Sequence, residues 1–259
     1  EHAAIRQRMA KFLAPRTSPA LQRFAARARD LCQAHLAHAG SCDAITDIFE
    51  PHALDLGEGL SGVEIARYAD HVTPTQLFDR ALGLNRRRTI DRRIGEIVEK
   101  ARQQLEADDI DVGVALAILG SDTVLGSLAL SFVERVTAQA GTPLAGIDWG
   151  DRLTVTAVPF IERQAVRAVD VAGNEVREGD LIRLYLDRYA LEPATTRDAF
   201  FGTGRHTCVG RAVAQQAWRL LSTALGEIDT VAEITHVHHR EADCMFLYPV
   251  SVGVTTRVL

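Results

Sequence analysis

The chain has 259 residues, of which 47% are apolar and 24% charged, with a net charge of −5 at neutral pH. That length and balance suit a soluble globular protein with a sizeable core, and the charge excludes broad attraction to nucleic acid or an anionic membrane surface. Apolar runs are expected to break before the ~18 residues that a membrane span needs, and no signal peptide or anchor is visible.

The first hundred residues read as helical. Ile5, Met9, Phe12 and Leu13 form one apolar stripe; Leu21, Phe24 and Ala25, continued by Ala28, Cys32 and Leu36, form another, each at helical spacing. Gly40-Ser41 ends that segment, and further helices are expected over 43–56, 62–71, 74–82 and 92–105. Asp108-Asp109 precedes an apolar stretch at 112–132 with Gly120-Ser121-Asp122-Thr123 at its centre. After Gly141 the texture changes. The segments 153–158, 161–171 and 181–186 are rich in valine, isoleucine and arginine, with turns at Gly173-Asn174 and Gly179-Asp180, so short strands are expected. A helix over 210–225 and a strand-like tail over 234–259, broken by Pro249 and Gly253, complete the chain. Neither repeats nor linkers interrupt it, so the expectation is a mainly α fold with minor β-sheets, one domain over 1–259.

The four cysteines, Cys32, Cys42, Cys208 and Cys244, are far apart and form no CxxC pair, which argues against a disulfide framework and a zinc ribbon and suits a reducing cytoplasm. One of them stands in a distinctive setting: Phe201-Gly202-Thr203-Gly204-Arg205-His206-Thr207-Cys208-Val209-Gly210. Glycines on both sides of Cys208 allow a tight turn that no β-carbon obstructs. The helix that follows brings its N–H groups beside the sulfur and favours a thiolate, a soft ligand suited to iron. A lone cysteine is also commonly a small buried hydrophobe.

This decapeptide resembles, without a substitution, the FGxGxHxCxG string of the cytochrome P-450 monooxygenases. The resemblance implies heme b (iron protoporphyrin IX) with Cys208 as proximal iron ligand, in a loop shaped by Gly202 and Gly210. It also implies that His206 bonds a heme propionate and that Phe201 shields the sulfur. Leu119-Gly120-Ser121-Asp122-Thr123 is similar to the middle of the family's oxygen-side helix. There Gly120 would open a groove for dioxygen, and Asp122 and Thr123 would be the acid–alcohol pair that delivers protons. From the residues alone, Ser121-Asp122-Thr123 reads equally as a helix N-cap.

His2 and Arg6, at i and i+4 on one helical face, resemble the family's HxxxR propionate clamp. The stretch 159–165 resembles the segment supplying a further propionate arginine, a role for which Arg163 and Arg167 compete. Met245-Phe246 resembles the last hairpin, whose tip touches substrate, and Leu116, Leu119, Val124 and Phe246 suggest an apolar pocket. Arg6, Arg8, Lys11, Arg16, Arg211 and Arg219 would border the face where a ferredoxin or flavodoxin-type donor docks. His236-Val237-His238-His239 would place His236 and His238 on one face of a strand. With no carboxylate or cysteine nearby at ligand spacing, that run reads as a solvated strand edge.

Two departures stand out. The ExxR pair expected shortly before Pro159 is missing from Asp151-Arg152-Leu153-Thr154-Val155. The chain also begins at the clamp-like helix, without the N-terminal sheet and roofing loop, and is compressed around 188–199. The implied fold is a truncated P-450-like one, either minimal or completed by self-association, a partner chain or residues missing from the start. The implied activity is that of a cytoplasmic heme-thiolate oxidoreductase, a monooxygenase acting on a small organic substrate with O2 and electrons from a ferredoxin-type partner. The alternatives are a peroxide-using or redox-neutral heme-thiolate enzyme, and a non-catalytic heme-binding sensor.

Overall fold

A computed structural model describes residues 2–68, 70, 72–78, 82–186, 200–202, 204–240 and 249–258, with the side chains of His2 and Arg205 outside that description. Helix α1 runs from His2 to Leu36, straight through Pro15 and Pro19. Proline removes a helix hydrogen bond and crowds the preceding turn. Within that turn Arg16 donates to the Phe12 carbonyl and Thr17 to the Leu13 carbonyl, each at 2.9 Å. Ala20, Leu21, Phe24, Ala28, Cys32 and Leu36 are all buried, so the second expected stripe is the core face of α1. The first stripe fails at its start, where Ile5 is 50% exposed.

Strand β1 (Gly40–Asp43) occupies what the sequence suggested was a break, because it pairs antiparallel with the C-terminal strand. The helix expected over 43–56 divides into a π-helical turn, Ile45–Phe49, and helix α2, Glu50–Ser61. Asp43 sets the late start, its Oδ1 accepting the Ile45 N–H at 2.9 Å. The helix expected over 62–71 does not form among the described residues. Gly62 closes α2 with φ +67, and the Ser61 hydroxyl then accepts the Val63 N–H at 3.1 Å. Of the helix expected over 74–82, a 3-10 turn at Pro74–Phe78 is described. Helix α3 spans Leu84–Gln104, starting well before residue 92.

Helix α4, Ile110–Ala138, is the spine of the molecule. Contrary to the expectation of interrupted apolar runs, Ala107–Ala138 is long and apolar enough to cross a membrane, with an 18-residue window of mean hydropathy 1.7. Half of that window is buried inside the protein, as in a core helix. No strand forms over 153–158. The backbone there is satisfied by helix side chains instead: Leu153 N–H donates to Gln215 Oε1 at 2.8 Å, and Ala157 N–H to Ser127 Oγ at 3.3 Å. Strand β2 (Phe160–Gln164) pairs with β5 (Leu181–Tyr185), and β3 (Val169–Val171) with β4 (Asn174–Val176). Helix α5, Arg211–Leu225, matches its expected span. Strands β6 (Thr230–His239) and β7 (Pro249–Val258) join β1 in a sheet of order β1-β7-β6.

Aromatic rings tie the site-bearing helices together. Phe132 of α4 stacks on Trp149 at 5.9 Å between centroids, and Trp149 meets Trp218 of α5 edge-on at 6.2 Å. All three belong to the main core cluster, which also takes residues from α1, α2, β6 and β7. Stacked and edge-on pairs of this kind add about 0.5–1.5 kcal/mol each beyond burial.

Candidate functional site

The cysteine loop is a tight, self-bonded turn that leads into α5. Cys208 N–H donates to the Phe201 carbonyl at 2.6 Å, and Thr207 N–H to the Gly204 carbonyl at 3.2 Å. Gly202 has φ +77 and Gly204 φ +59, backbone that suits glycine. A β-carbon at Gly202 would lie 2.7 Å from the His206 carbonyl oxygen. Cys208 is exposed, just ahead of the first turn of α5, where Arg211 N–H donates to its carbonyl at 3.3 Å. A β-carbon on Gly210 would sit 3.7 Å from the sulfur, so nothing bulky from that side crowds it. Phe201 and Val209 are half-buried and rest on the main core, with Phe200 and Phe201 rings 4.4 Å apart.

Arg6 of α1 reaches this loop, donating to the Thr207 carbonyl at 2.5 Å, one residue before the cysteine. Arg6, Ala10, Leu13, Cys208 and Val213 line an open groove of about 680 Å³ between α1 and α5. The backbone of His2 lies on α1 one turn before Arg6. His206 is exposed in the Gly204–His206 turn. Arg163 stands exposed on β2 and donates to the Glu162 carbonyl at 2.8 Å; Arg167 is exposed in the loop that follows. Met245, Phe246, Cys244 and the compressed 188–199 segment lie outside the described residues.

On α4, Ser121-Asp122-Thr123 sits mid-helix, so the N-cap reading is corrected. Leu116, Leu119, Gly120, Thr123 and Val124 share one helical face. Leu119 is 40% exposed there, and a β-carbon on Gly120 would meet nothing within 4 Å. Leu119 is thus a large apolar side chain left open on the middle of a core helix. Thr123 Oγ1 donates to the Leu119 carbonyl at 2.7 Å. Asp122 turns elsewhere. Its Oδ2 accepts from Thr73 Oγ1 at 2.6 Å and from Thr75 Oγ1, and the buried Arg240 donates to Thr73 Oγ1 at 3.2 Å. Asp122, Ser121 and Thr73 also line a cavity of about 40 Å³ on that side, room for a water or two rather than a substrate.

Thr73, Thr75 and Arg240 are site residues that the sequence reading missed. No local pattern announces them, because each meets its partner from a distant part of the chain.

No family model matches the sequence, and no curated protein matches it significantly. Solved structures do match in shape. The versatile cytochrome P-450 enzyme CYP109B1 from Bacillus subtilis superposes with a TM-score of 0.67 at 18% identity, over 98% of this chain and 83% of its own. P-450 RauA, in complex with a biosynthetic intermediate of aurachin RE, gives 0.71 at 13% identity, over 96% and 74%. P-450 BioI, in complex with an acyl carrier protein ligated to hexadec-9Z-enoic acid, gives 0.71 at 16%, over 97% and 78%. The chain has a cytochrome P-450-like fold.

The local geometry suits that fold's prosthetic group. The P-450-like frame offers a sulfur at a helix start, an arginine bonded into the same loop, and an apolar helix face left open around Gly120. These are the soft donor, the cationic partner and the apolar wall that a heme requires.

Proposed function

We propose that the chain is a heme-thiolate oxidoreductase, with residues 1–259 forming one heme-binding unit. The observation that carries this is Cys208, held exposed ahead of α5 by the Phe201 carbonyl bond and the left-handed glycines. Heme b would supply activation of dioxygen. Cys208 would hold it through sulfur, with Phe201 and Val209 as apolar cover beside that sulfur. Arg6, His206, His2 and one of Arg163 and Arg167 would meet its two carboxylates, since buried carboxylates need cationic or hydrogen-bonding partners.

The substrate side would be the α4 face, where Leu116, Leu119 and Val124 exclude water and select an apolar, small organic molecule. Gly120 leaves space at the centre of that face. Thr123 holds a proton on Oγ1, now donated to the Leu119 carbonyl, and a rotation about χ1 would turn it toward the open face. Asp122 would restore that proton from the water-sized cavity behind α4. Thr73 and Thr75 hold its carboxylate in place, and Arg240 balances its charge through Thr73. Electrons would come from a ferredoxin or flavodoxin-type donor in the cytoplasm. RauA and BioI, whose structures hold a biosynthetic intermediate and a carrier-bound fatty acid, support a small-molecule substrate of biosynthetic type.

Reduced, heme-reconstituted protein under carbon monoxide should show the red-shifted Soret band of thiolate-ligated ferrous heme. Cys208→Ala should abolish it, and Cys32→Ala, Cys42→Ala and Cys244→Ala should keep it. An imidazole-like band, or no heme uptake, overturns the proposal. One observation favours a second reading. Asp122 and Thr123 are bonded to different partners rather than to each other, which suits a peroxide-using enzyme whose oxidant carries its own protons. Turnover with hydrogen peroxide and no electron donor distinguishes the two.

A further inference from the structure

A proton relay through Asp122 needs a source, and the substrate side of α4 is a poor one. Leu116, Leu119 and Val124 make that side apolar, and any water there competes with the substrate. Asp122 stands about 200° round the helix from Gly120 and lines the cavity of about 40 Å³ behind α4. Thr73 and Thr75 both donate to its Oδ2. Among the described residues no side chain donates to Oδ1, which is left for water.

The threonine side of that carboxylate ends on Arg240, which is buried and donates to Thr73 Oγ1 at 3.2 Å. A guanidinium keeps its protons and repels incoming positive charge, so this side holds Asp122 without feeding it. The cavity side ends differently. Among the described residues that line the cavity, Glu50 and Asp122 are the two carboxylates. Tyr68 lines it as well, but burial pushes its phenol up, so it stays protonated. Glu50 Oε2 lies 2.7 Å from Arg67 Nε.

Glu50 also reaches the outside. Arg27, Glu50, Asp55, Glu58 and Arg67 line an open outer pocket of about 290 Å³. Glu50, Leu54, Ile65 and Arg67 are common to that pocket and the inner cavity, so the two abut across this wall. Within it the carboxylate is the inner partner and the guanidinium the outer one, their side chains 15% and 52% exposed. Leu54 and Ile65 are hydrocarbon and Arg67 does not deprotonate, which leaves Glu50 to accept a proton outside and release it inside. The other two acids of the outer pocket are engaged there: Asp55 pairs with Arg27 at 3.4 Å, and Glu58 Oε1 accepts the Ile65 N–H at 2.9 Å. The inner cavity has room for a water or two, enough for a short hydrogen-bonded chain from Glu50 to Asp122.

We propose that, within the heme-thiolate reading on which this rests, Glu50 is the proton entry group for Asp122, taking protons from the outer pocket and passing them through cavity water. Each transfer breaks one O–H bond and forms another. Glu50 gives its proton to water, water gives one to Asp122, and Glu50 returns to the carboxylate paired with Arg67. No electrons move. Because Glu50 acts through Asp122, it is a positioning residue of the relay.

The test is a laser-induced drop in pH on the full chain without heme, followed by time-resolved infrared. The carboxylic acid band of Asp122 is the one lost in Asp122→Asn, and its rise times the arrival of the proton. Glu50→Gln should slow that rise about 10²-fold, the typical effect of losing a positioned proton-transfer group. Glu50→Asp, which keeps a carboxyl, should restore most of the rate. Ala53 lines the inner cavity; Ala53→Val adds two methyl groups there, leaves both carboxyls in place, and should slow the rise comparably. Asp55→Asn, which alters the outer pocket alone, should keep the wild-type rate. A wild-type rate in Glu50→Gln or in Ala53→Val would overturn the proposal, as would an equal slowing in Asp55→Asn. The infrared timing needs no heme, so failure of the heme-thiolate reading shows separately, in the carbon monoxide spectrum.

Discussion

Replacing each of the two left-handed glycines before Cys208 by alanine separates backbone strain from steric contact. Gly204 has φ +59 and open space where a β-carbon would go, whereas Gly202 has φ +77 and the His206 carbonyl oxygen 2.7 Å from that point. Gly204→Ala should therefore cost the strain alone, about 1 kcal/mol. Gly202→Ala carries the same strain plus a clash with backbone, which cannot swing aside as a flexible side chain would; overpacking of that kind adds about 1–3 kcal/mol. The expected gap between the two variants is thus ~1–3 kcal/mol in urea unfolding of the apo chain. Relief would come by pushing the 206–207 peptide, which leads straight into Cys208, so Gly202→Ala should also take up heme more weakly than Gly204→Ala. Equal stability and equal heme titration curves in the two variants would refute the loop geometry.

Three further outcomes are expected. Thr123→Ala should keep heme while productive turnover falls roughly 10²-fold and electrons are diverted to peroxide; product yield per electron should show the drop, with Thr123→Ser restoring it. His52 is fully buried against Phe24, and loss of solvation pushes its imidazole down from 6.5 to about 4. The unfolded chain takes up that proton near 6.5, so stability is full above that pH and falls as pH drops toward 4, by up to about 3 kcal/mol. Urea midpoints at stepped pH measure it, and His52→Leu should remove that part of the slope. Gln215→Ala should leave the buried Leu153 N–H without its 2.8 Å acceptor, at a cost of about 1–3 kcal/mol in the same assay.

The parts of the site legible in the sequence are those whose chemistry is local. The cysteine loop is a contiguous string whose glycines are set by its own backbone, and Gly120, Asp122 and Thr123 lie within one turn of α4. The second stripe of α1 was legible for the same reason, since burial follows helical spacing. What the sequence hid comes from contacts between distant segments. Thr73 and Thr75 reach Asp122 from 49 and 47 residues away, and Arg240 reaches Thr73 across 167. Strand β1 escaped notice because a four-residue strand containing Gly40 and Ser41 becomes one through pairing with β7. The 153–158 stretch has strand-like composition, but its amides find helix side chains before they find a partner strand.

That same stretch bears on the missing Glu-Arg pair. The resemblance implies a Glu-Arg pair tying the segment before Pro159 to the loop ahead of the cysteine; here residues 148–158 are fastened by ring stacking and by hydrogen bonds to both neutral and charged side chains, Glu134 and Arg135 among them. Gln139 Oε1 accepts from Asp148 N–H at 2.9 Å, Trp149 stacks on Phe132, Gln215 accepts from Leu153, and Ser127 accepts from Ala157. Thr154 adds a 2.9 Å bond to Glu134. A buried ion pair must recover a desolvation penalty of several kcal/mol per charge before it stabilises anything, whereas an amide accepting one backbone N–H carries little of that penalty. The anchor therefore runs directly from α4 and α5 to the 148–158 segment, and Gln215 ties that segment to the helix that follows Cys208. The cysteine loop itself is bonded to Arg6 of α1 and leads into the start of α5.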